Sequence, residues 1–168
     1  MSTRYDCQVT LQKFGPGTSA QPLIGALLRL PWEVARQRML DGLHAAGFDD
    51  LTSAHLNILL YPGPDGQRPT DLADQRQMSR QAVNYLVSQV EQLGYLERRD
   101  DPGDQRSKRL ALTARGRAAG NAIRSTVVEL EREWSERMGA ERFDELKRLL
   151  AELGEVSAGS APAAPRRS

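Results

Sequence analysis

The chain has few residues that bind metals or form covalent cross-links. Its 168 residues include one cysteine, Cys7, and two histidines, His44 and His55. A single cysteine excludes a disulfide framework and a cysteine-based structural zinc site within the chain. A metal site normally needs three or four ligands, and only a few aspartates lie near the histidines in sequence. We therefore predict no metal and no cofactor, and we interpret both histidines as surface or helix-packing residues.

Long apolar runs and catalytic motifs are also missing. No stretch approaches the roughly 20 apolar residues needed to cross a bilayer, and the N-terminal segment MSTRYDCQVT lacks the apolar segment of a signal peptide. The sequence therefore predicts a cytoplasmic protein that does not contact a membrane. No Gly-rich phosphate loop, Gly-x-Ser-x-Gly motif or zinc-ligand spacing occurs, so we do not expect an enzyme.

Charge is nearly balanced over the whole chain but not along it. The net charge is +1 although 27% of the residues are charged, so overall charge does not indicate a nucleic-acid partner. The range 98–117, however, contains seven basic residues against three acidic ones. A local basic patch on a nearly neutral protein is the electrostatic pattern of a site-directed DNA-binding protein.

The stretch 70–93 has the pattern of two helices joined by a short turn. Thr70 is a candidate N-cap residue for a first helix that ends near Arg76. Ser79 is a candidate N-cap residue for a second helix, in which apolar residues recur at steps of three and four. Gly94 follows the last of them, where a left-handed C-terminal residue is expected. Two helices with this spacing form a helix-turn-helix.

The polar face of the second helix carries side chains that can read DNA bases. Gln81 and Asn84 can pair with the edge of adenine, and Arg80 can pair with guanine. Ser79 and Tyr85 lie in the same N-terminal part of the helix. This concentration of polar groups near a helix N-terminus suits entry into the major groove. The alternative interpretation is an ordinary solvent-exposed helix face, which is polar as well.

The stretch after Gly94 has the pattern of a basic β-hairpin. Residues 95–99 and 107–113 alternate as half-buried strands do, and the Asp-Asp-Pro-Gly-Asp sequence between them is typical of a turn. Beside a helix-turn-helix, such a hairpin is a wing, whose cations contact phosphates and whose tip arginine can enter the minor groove. The alternative is a charged hairpin that only faces solvent. The candidate DNA-binding cations of the hairpin are Arg98, Arg106, Lys108 and Arg109.

These motifs together resemble the MarR family of bacterial transcription regulators, and the wing sequence is the most specific of them. The resemblance covers about residues 31–153. It implies that Arg80, Gln81 and Asn84 read the major groove, that Arg106 enters the minor groove, and that Asp104 helps to hold the arginine region of the wing. The similar segments are Ser-Arg-Gln-Ala-Val at 79–83, Leu-Gly-Tyr-Leu at 93–96, Asp-Pro-Gly-Asp-Gln-Arg-Ser-Lys at 101–108 and Leu-Thr at 112–113.

The apolar patterns on either side of this reading unit (70–113, the helix-turn-helix with its wing) predict helices that form a dimer. On the N-terminal side Pro31 should interrupt one helix and begin another, which ends at Gly47. On the C-terminal side Thr113 can cap a long helix, and Gly139 should separate it from a final one. Their apolar stripes are too large for a small winged domain to cover alone, and in the resembled family the terminal helices form the dimer. The expected fold is mainly α with a small β-hairpin, namely a winged helix-turn-helix with N- and C-terminal dimerisation helices. Packing within one chain is the alternative. The expected divisions are a flexible arm (1–21), N-terminal dimerisation helices (22–50), the winged helix-turn-helix (51–115), C-terminal dimerisation helices (116–153) and a disordered tail (154–168).

The expected function is that of a sequence-specific DNA-binding transcriptional regulator, a ligand-responsive repressor that acts as a homodimer on near-palindromic double-stranded DNA. The resemblance implies a small aromatic effector. Trp32, His55 and Tyr61 lie beside helix junctions and are candidates for lining its pocket, with core packing as the alternative role. Two alternative functions stay open: a winged-helix module that binds proteins instead of DNA, and a redox-sensing regulator that uses Cys7.

Overall fold

The computed structural model describes residues 22–60, 65–101 and 103–159, without the side chains of 104–106 and 158–159. Within these ranges the chain forms six α-helices and a two-stranded antiparallel sheet, which confirms the predicted winged helix-turn-helix fold. The elements in chain order are α1 (Ile24–Ala45), α2 (Leu56–Leu59), α3 (Pro69–Arg76), α4 (Arg80–Gln92), β1 (Leu96–Asp101), β2 (Asp104–Leu112), α5 (Ala114–Met138) and α6 (Ala140–Gly159).

Several sequence-based predictions concern residues outside this description. The arm predicted for 1–21, which includes Cys7, lies outside the described residues, as do Tyr61 and residues 160–168. The backbone of Asp104 and Arg106 lies in β2, but their side chains lie outside the description too. These statements therefore stay predictions.

The first helix, α1, is continuous, although the sequence predicts an interruption at Pro31. The helix runs through Pro31 from Ile24 to Ala45. Because proline has no N–H, the carbonyl of Leu27 lacks its helical partner. Leu27 is exposed, so this side of the helix is open to water. The predicted new helix at Pro31 is therefore wrong, whereas the predicted end at Gly47 is confirmed by a φ angle of 86° just after the helix.

The helix α3 begins two residues earlier than predicted. Pro69 occupies its first position, where a missing N–H costs little because that N–H has no helical partner. Thr70 therefore lies inside the first turn, and the N-cap residue is Arg68, so the predicted cap at Thr70 is wrong. The helix ends before Gln77, which adopts a left-handed conformation with φ 51°.

The helix α4 has the limits that the sequence predicts. The hydroxyl oxygen of Ser79 accepts a hydrogen bond from the N–H of Ala82 at 3.1 Å, which confirms the N-cap. Gly94, with φ 79°, follows the helix. The three residues from Gln77 to Ser79 separate α3 from α4, so the two helices form the predicted helix-turn-helix. The buried face of α4 consists of Val83, Leu86, Val87 and Val90.

The hairpin is held along both edges of β2. On one edge β1 pairs with it in an antiparallel register, with Leu96 opposite Leu112, and this register shifts between Asp100 and Asp101. On the other edge lies the segment 66–67. The N–H of Gly66 donates to the carbonyl of Leu110 at 2.6 Å, and the N–H of Leu110 donates to the carbonyl of Gln67 at 2.7 Å. The chain just before α3 is thus part of the wing.

The two C-terminal helices meet at Gly139. Thr113 caps α5, because its hydroxyl accepts a hydrogen bond from the N–H of Gly116 at 3.0 Å. Gly139, with φ 89°, ends α5 as predicted. The prediction of a disordered tail from residue 154 is wrong at its start, since α6 continues to Gly159. The prolines come only after residue 160, so none of them interrupts this extension.

A single core lies between α1, the reading unit and α5. Met39 and Leu43 of α1 meet buried residues of every helix from α2 to α5, together with Tyr95, Leu96 and Leu110 of the hairpin region. α1 approaches α5 closely at Gly42, where an added Cβ would lie 2.1 Å from Oγ1 of Thr126. Across the same helix pair, Arg38 and Glu133 form an ion pair of 2.5 Å.

Large apolar side chains remain exposed at the two ends of the chain. Leu149 on α6, for example, is 49% exposed, and Phe143 is the one buried residue in the described part of that helix. None of the helices in the described ranges combines the length and apolarity that crossing a bilayer requires. The exposed apolar residues near the N-terminus are Leu23, Ile24, Leu27, Leu28 and Trp32, and those near the C-terminus are Met138, Leu146, Leu149, Leu150, Leu153 and Val156.

Candidate nucleic-acid interface

The N-terminal half of α4 presents a polar surface to solvent. Arg80, Gln81, Asn84 and Tyr85 are all exposed, and Tyr85 is 65% exposed despite its large ring. The cap at Ser79 fixes where the helix begins, and burial of the opposite face fixes its rotation. These four side chains, all predicted to bind DNA, are therefore brought together on one outward face. Ser79 itself is also exposed, but its hydroxyl oxygen is occupied by the cap.

A chain of hydrogen bonds connects this surface to buried His55. Nδ1 of His55 accepts the backbone N–H of Thr52 at 3.2 Å, so the ring proton of the neutral form is on Nε2. Nε2 can then donate to Oε1 of Gln89 at 3.4 Å, and Nε2 of Gln89 donates to the hydroxyl of Tyr85 at 3.2 Å. The hydroxyl of Tyr85 is thus used as an acceptor, which leaves its own hydrogen for an outside partner.

The wing cations whose side chains the structure describes are paired with carboxylates. Nε of Arg98 donates to both carboxylate oxygens of Glu91 at 3.0 Å, which fastens β1 to the C-terminal half of α4. Lys108 pairs with Asp100 across the hairpin, and both side chains are more than half exposed. Exposed pairs of this kind contribute at most about 1 kcal/mol, so a phosphate can compete for the lysine.

Arg109 is directed toward the base of the wing. Its Nε lies 3.0 Å from Oδ1 of Asp101, and its Nη1 donates to the carbonyl of Gly66 at 2.5 Å. The sequence predicts Arg109 as a DNA-binding residue like Lys108. The structure shows a different setting for the two, because Lys108 has one exposed partner whereas Arg109 has a buried carboxylate and a backbone carbonyl.

Asp101 is the acidic residue at this site, and sequence reasoning did not single it out. Its side chain is 1% exposed. The N–H of Gly103 and the guanidinium of Arg68, with a further contribution from Arg109, lower the pKa of Asp101 from 3.8 to about 2. The sequence contains a partial signal, because Asp-Pro-Gly favours a turn in which the carboxylate accepts the N–H two residues later. Its burial and its arginine partners depend on the tertiary fold.

A second polar cluster joins the start of the wing to α5. The hydroxyl of buried Tyr95 donates to Oδ1 of Asp50 at 2.5 Å, and Arg115 binds Oδ2 of Asp50 at 2.7 Å. The guanidinium of Arg115 also lies over the ring of Tyr95, 4.6 Å from its centre. Burial, followed by the hydrogen bond to Asp50, raises the pKa of Tyr95. The backbones of α5 and of Tyr95 also approach each other closely, because a Cβ added to Gly116 would lie 2.1 Å from the carbonyl oxygen of Tyr95.

The residues predicted to line an effector pocket have different environments. Trp32 is 47% exposed on α1. His55 is buried, and both of its ring nitrogens have partners within the chain. The third residue, Tyr61, lies outside the described ranges. As for metals, the side chains described in the structure include no group of three or more His, Cys, Asp or Glu residues that could hold an ion.

A polar reading helix, the helix that supports it and an antiparallel hairpin, placed between long helices, define the class of winged helix-turn-helix transcription regulators. Residues 49–107, from the turn before α2 into β2, match the model of the MarR family. The winged helix-turn-helix of this chain is therefore similar to that of MarR family regulators. A comparison with curated protein sequences finds no match.

Solved structures of this family have the same fold. A MarR family protein of Mycobacterium tuberculosis in complex with salicylic acid is 29% identical, with a TM-score of 0.59, over 80% of this chain and 98% of that one. A MarR family transcription regulator is 26% identical, with a TM-score of 0.57, over 82% of this chain and 89% of that one. A MepR mutant of S. aureus bound to an oligodeoxyribonucleotide is 23% identical, with a TM-score of 0.52, over 81% and 99%.

Proposed function

We propose that the protein is a homodimeric repressor in the cytoplasm that binds a near-palindromic DNA operator and responds to a small aromatic ligand. The observation that carries the proposal is the outward polar face of α4. There Arg80, Gln81, Asn84 and Tyr85 are exposed on a helix whose start and rotation are fixed. A helix N-terminus with these side chains has the donors and acceptors that base edges in the major groove require.

In the proposed complex, α4 enters the major groove and the wing follows the adjacent backbone. Gln81 and Asn84 read bases, Arg80 reads guanine or a phosphate, and the hydroxyl of Tyr85 donates to a phosphate oxygen. Arg106 at the tip of the wing enters the minor groove, where the negative potential favours a guanidinium. Lys108 exchanges its exposed partner Asp100 for a phosphate. Each such exchange releases counterions, so affinity falls steeply as salt is raised.

A second copy of the chain covers the exposed apolar residues of α1 and α6 in the proposed dimer. Burial of apolar surface contributes roughly 25 cal/mol per Å², and side chains such as Leu27, Leu149 and Val156 are exposed in a single chain. Twofold symmetry presents two copies of α4 to half-sites about 10 base pairs apart. The dimer represses by occupying DNA that the transcription machinery needs.

Ligand response completes the proposal. The salicylic acid held by the M. tuberculosis relative supports a small aromatic acid as the class of effector. A ligand can release DNA only if it binds one spacing of the two reading helices better than the other. Trp32 offers an exposed aromatic surface for such a ligand. A thermal-shift screen of aromatic acids tests this part, and a screen without any stabilising compound would reject it.

Selection of genomic fragments by the purified protein tests DNA binding, followed by gel shifts of the selected fragment. We expect Gln81→Ala and Asn84→Ala to change sequence preference and Arg106→Ala to weaken binding to all sequences. One lost base or phosphate contact should cost about 1–3 kcal/mol. Arg124→Ala is the control, because it removes an exposed arginine from α5, outside the reading unit.

Two results would contradict the proposal. If no fragment is retained even at low salt, the winged fold serves protein contacts in place of DNA contacts. If the three reading variants all bind like the wild type while the wild type binds specifically, the protein binds DNA through another surface.

A further inference from the structure

Asp101 is buried where the wing meets the helix-turn-helix. It is the last residue of β1 and its side chain is 1% exposed, although Arg99 and Asp100 before it are exposed. An isolated carboxylate at such a depth would be strongly unfavourable, so its charge must be compensated by neighbouring groups.

Both carboxylate oxygens of Asp101 are engaged. Oδ2 accepts hydrogen bonds from Nε and Nη2 of Arg68 at 2.9 and 2.7 Å. Oδ1 accepts the N–H of Gly103 at 3.0 Å and lies 3.0 Å from Nε of Arg109. The two arginines and the turn of the hairpin are therefore held by one side chain.

These contacts connect three parts of the chain. Arg68 is the N-cap residue of α3, so it belongs to the helix-turn-helix. Arg109 is in β2 and reaches the carbonyl of Gly66, in the segment that pairs with the edge of β2. Asp101 lies where the register of the hairpin shifts, so the regular strand pairing does not by itself fix the turn there. The carboxylate supplies the missing constraint between the wing and α3.

The cluster also leaves positive charge accessible. The side chains of Arg68 and Arg109 are 37% and 43% exposed, whereas the carboxylate between them is covered. An anion that approaches the wing can therefore contact two guanidinium groups whose orientation is fixed by the buried carboxylate of Asp101.

We propose that Asp101 is a positioning residue for DNA binding, which sets the angle of the wing on α3 and holds Arg68 and Arg109 toward the DNA backbone. This inference rests on the proposed function. Asp101 itself does not touch DNA. Groups held in place lose less conformational freedom on binding than free side chains, so the carboxylate increases affinity despite its negative charge.

One substitution at Asp101 separates this positioning role from a purely electrostatic role, because the two roles predict changes in DNA affinity of opposite sign. Replacing an aspartate near DNA by asparagine removes a negative charge, so simple electrostatics predicts tighter binding. Loss of the constraint predicts weaker binding. Asp100→Asn is a matched control, because the same change occurs one residue earlier, at a side chain that is exposed and pairs with exposed Lys108.

The experiment measures affinity of the full-length protein for the fragment that the wild type selects, with melting curves of each variant. We expect Asp101→Asn to bind about tenfold more weakly, a change of about 1.4 kcal/mol, while Asp100→Asn binds as tightly as the wild type or more tightly. Hydroxyl-radical footprints should lose the protection given by the wing and keep the protection given by α4. Tighter binding by Asp101→Asn, with wild-type specificity intact, would overturn the inference and leave the proposed function standing.

Arg109→Lys provides a second measurement in case Asp101→Asn does not fold. It keeps the charge but loses the planar group that reaches both Asp101 and Gly66. We expect weaker binding with the same selective loss of wing protection. An unchanged affinity and footprint would overturn the inference, and a wild-type protein that retains no DNA at all would overturn the proposed function together with it.

Discussion

At the scale of single residues, Asp101 makes stability depend on pH in acid. The pKa of its carboxyl in the folded protein is about 2, against an ordinary value of 3.8, because of the N–H of Gly103 and the guanidinium of Arg68. A lowered folded-state pKa adds stability that is complete above the ordinary value and is lost as pH falls toward the folded-state value. The contribution of Asp101 is therefore lost between about pH 4 and pH 2.

We expect the difference in melting temperature between the wild type and Asp101→Asn to be largest at neutral pH and to shrink across this window. Melting curves recorded from pH 7 down to pH 2.5 measure it. The same series of melting curves on Asp100→Asn is the control, because it measures how much an exposed aspartate changes the melting temperature. A difference that stays constant from pH 7 to pH 2.5 would show that the charge of Asp101 does not stabilise the fold.

Residue-level details divide into those that depend on neighbours in sequence and those that do not. Ser79 was predicted correctly as a cap because its acceptor role needs only the N–H of Ala82. Thr70 was not, because Pro69 is an equally good first residue and local sequence does not decide between the two starts. The two arginine partners of Asp101 are 33 residues and eight residues away in sequence, and no local pattern reveals them.

At the scale of elements, the contact between α5 and Tyr95, the residue just before β1, depends on the absence of a side chain at Gly116. A Cβ on Gly116 would lie 2.1 Å from the carbonyl oxygen of Tyr95, a backbone atom that cannot rotate away. We expect Gly116→Ala to destabilise the protein by roughly 1–3 kcal/mol, as overpacked sites do. Chemical denaturation measures the loss.

Gly120 provides the matched control on the same helix. Nothing lies within 4 Å of a Cβ added there, so Gly120→Ala should gain up to about 1 kcal/mol from helix propensity. Opposite signs for the two substitutions are the expected result. Equal effects at the two positions would contradict a close contact at Gly116.

The limits of elements were predictable where strong local signals mark them. Gly94 and Gly139 end their helices as expected, because each adopts a positive φ angle. Pro31 was misleading, since α1 continues through it although a proline inside a helix removes one helical hydrogen bond. The extension of α6 to Gly159 was missed because Gly154 and the later prolines suggested an earlier end.

At the scale of the whole molecule, the exposed apolar face of α6 predicts the behaviour of the assembly. We expect Leu149→Glu to weaken the proposed dimer by at least about tenfold, since twofold symmetry places two unpaired charges in one apolar interface. Sedimentation over a range of concentrations measures the change. Ala151→Glu, on the opposite side of the same helix, should leave the dimer unchanged. If both variants sediment like the wild type, α6 is not part of the interface.

Fold and family were the parts of the whole molecule that sequence reasoning predicted best. The helix-turn-helix, the wing sequence and the apolar terminal helices were read from the sequence in this order, and the match of residues 49–107 confirms the predicted resemblance to the MarR family. Which surfaces pair in the dimer and how an effector would bind depend on contacts between chains or between distant helices. A single sequence carries no periodic signal for such contacts.

The fit of Gly116 against Tyr95 has a mechanical consequence. The two backbones touch with no compressible side chain between them, and the bond from Arg115 to Asp50 clamps the same joint from outside. A tilt of the long helix α5 about this contact would therefore displace the first residues of the wing as well. The other end of α5 lies at Met138, among the exposed apolar residues, so covering those residues and orienting the wing involve the same helix.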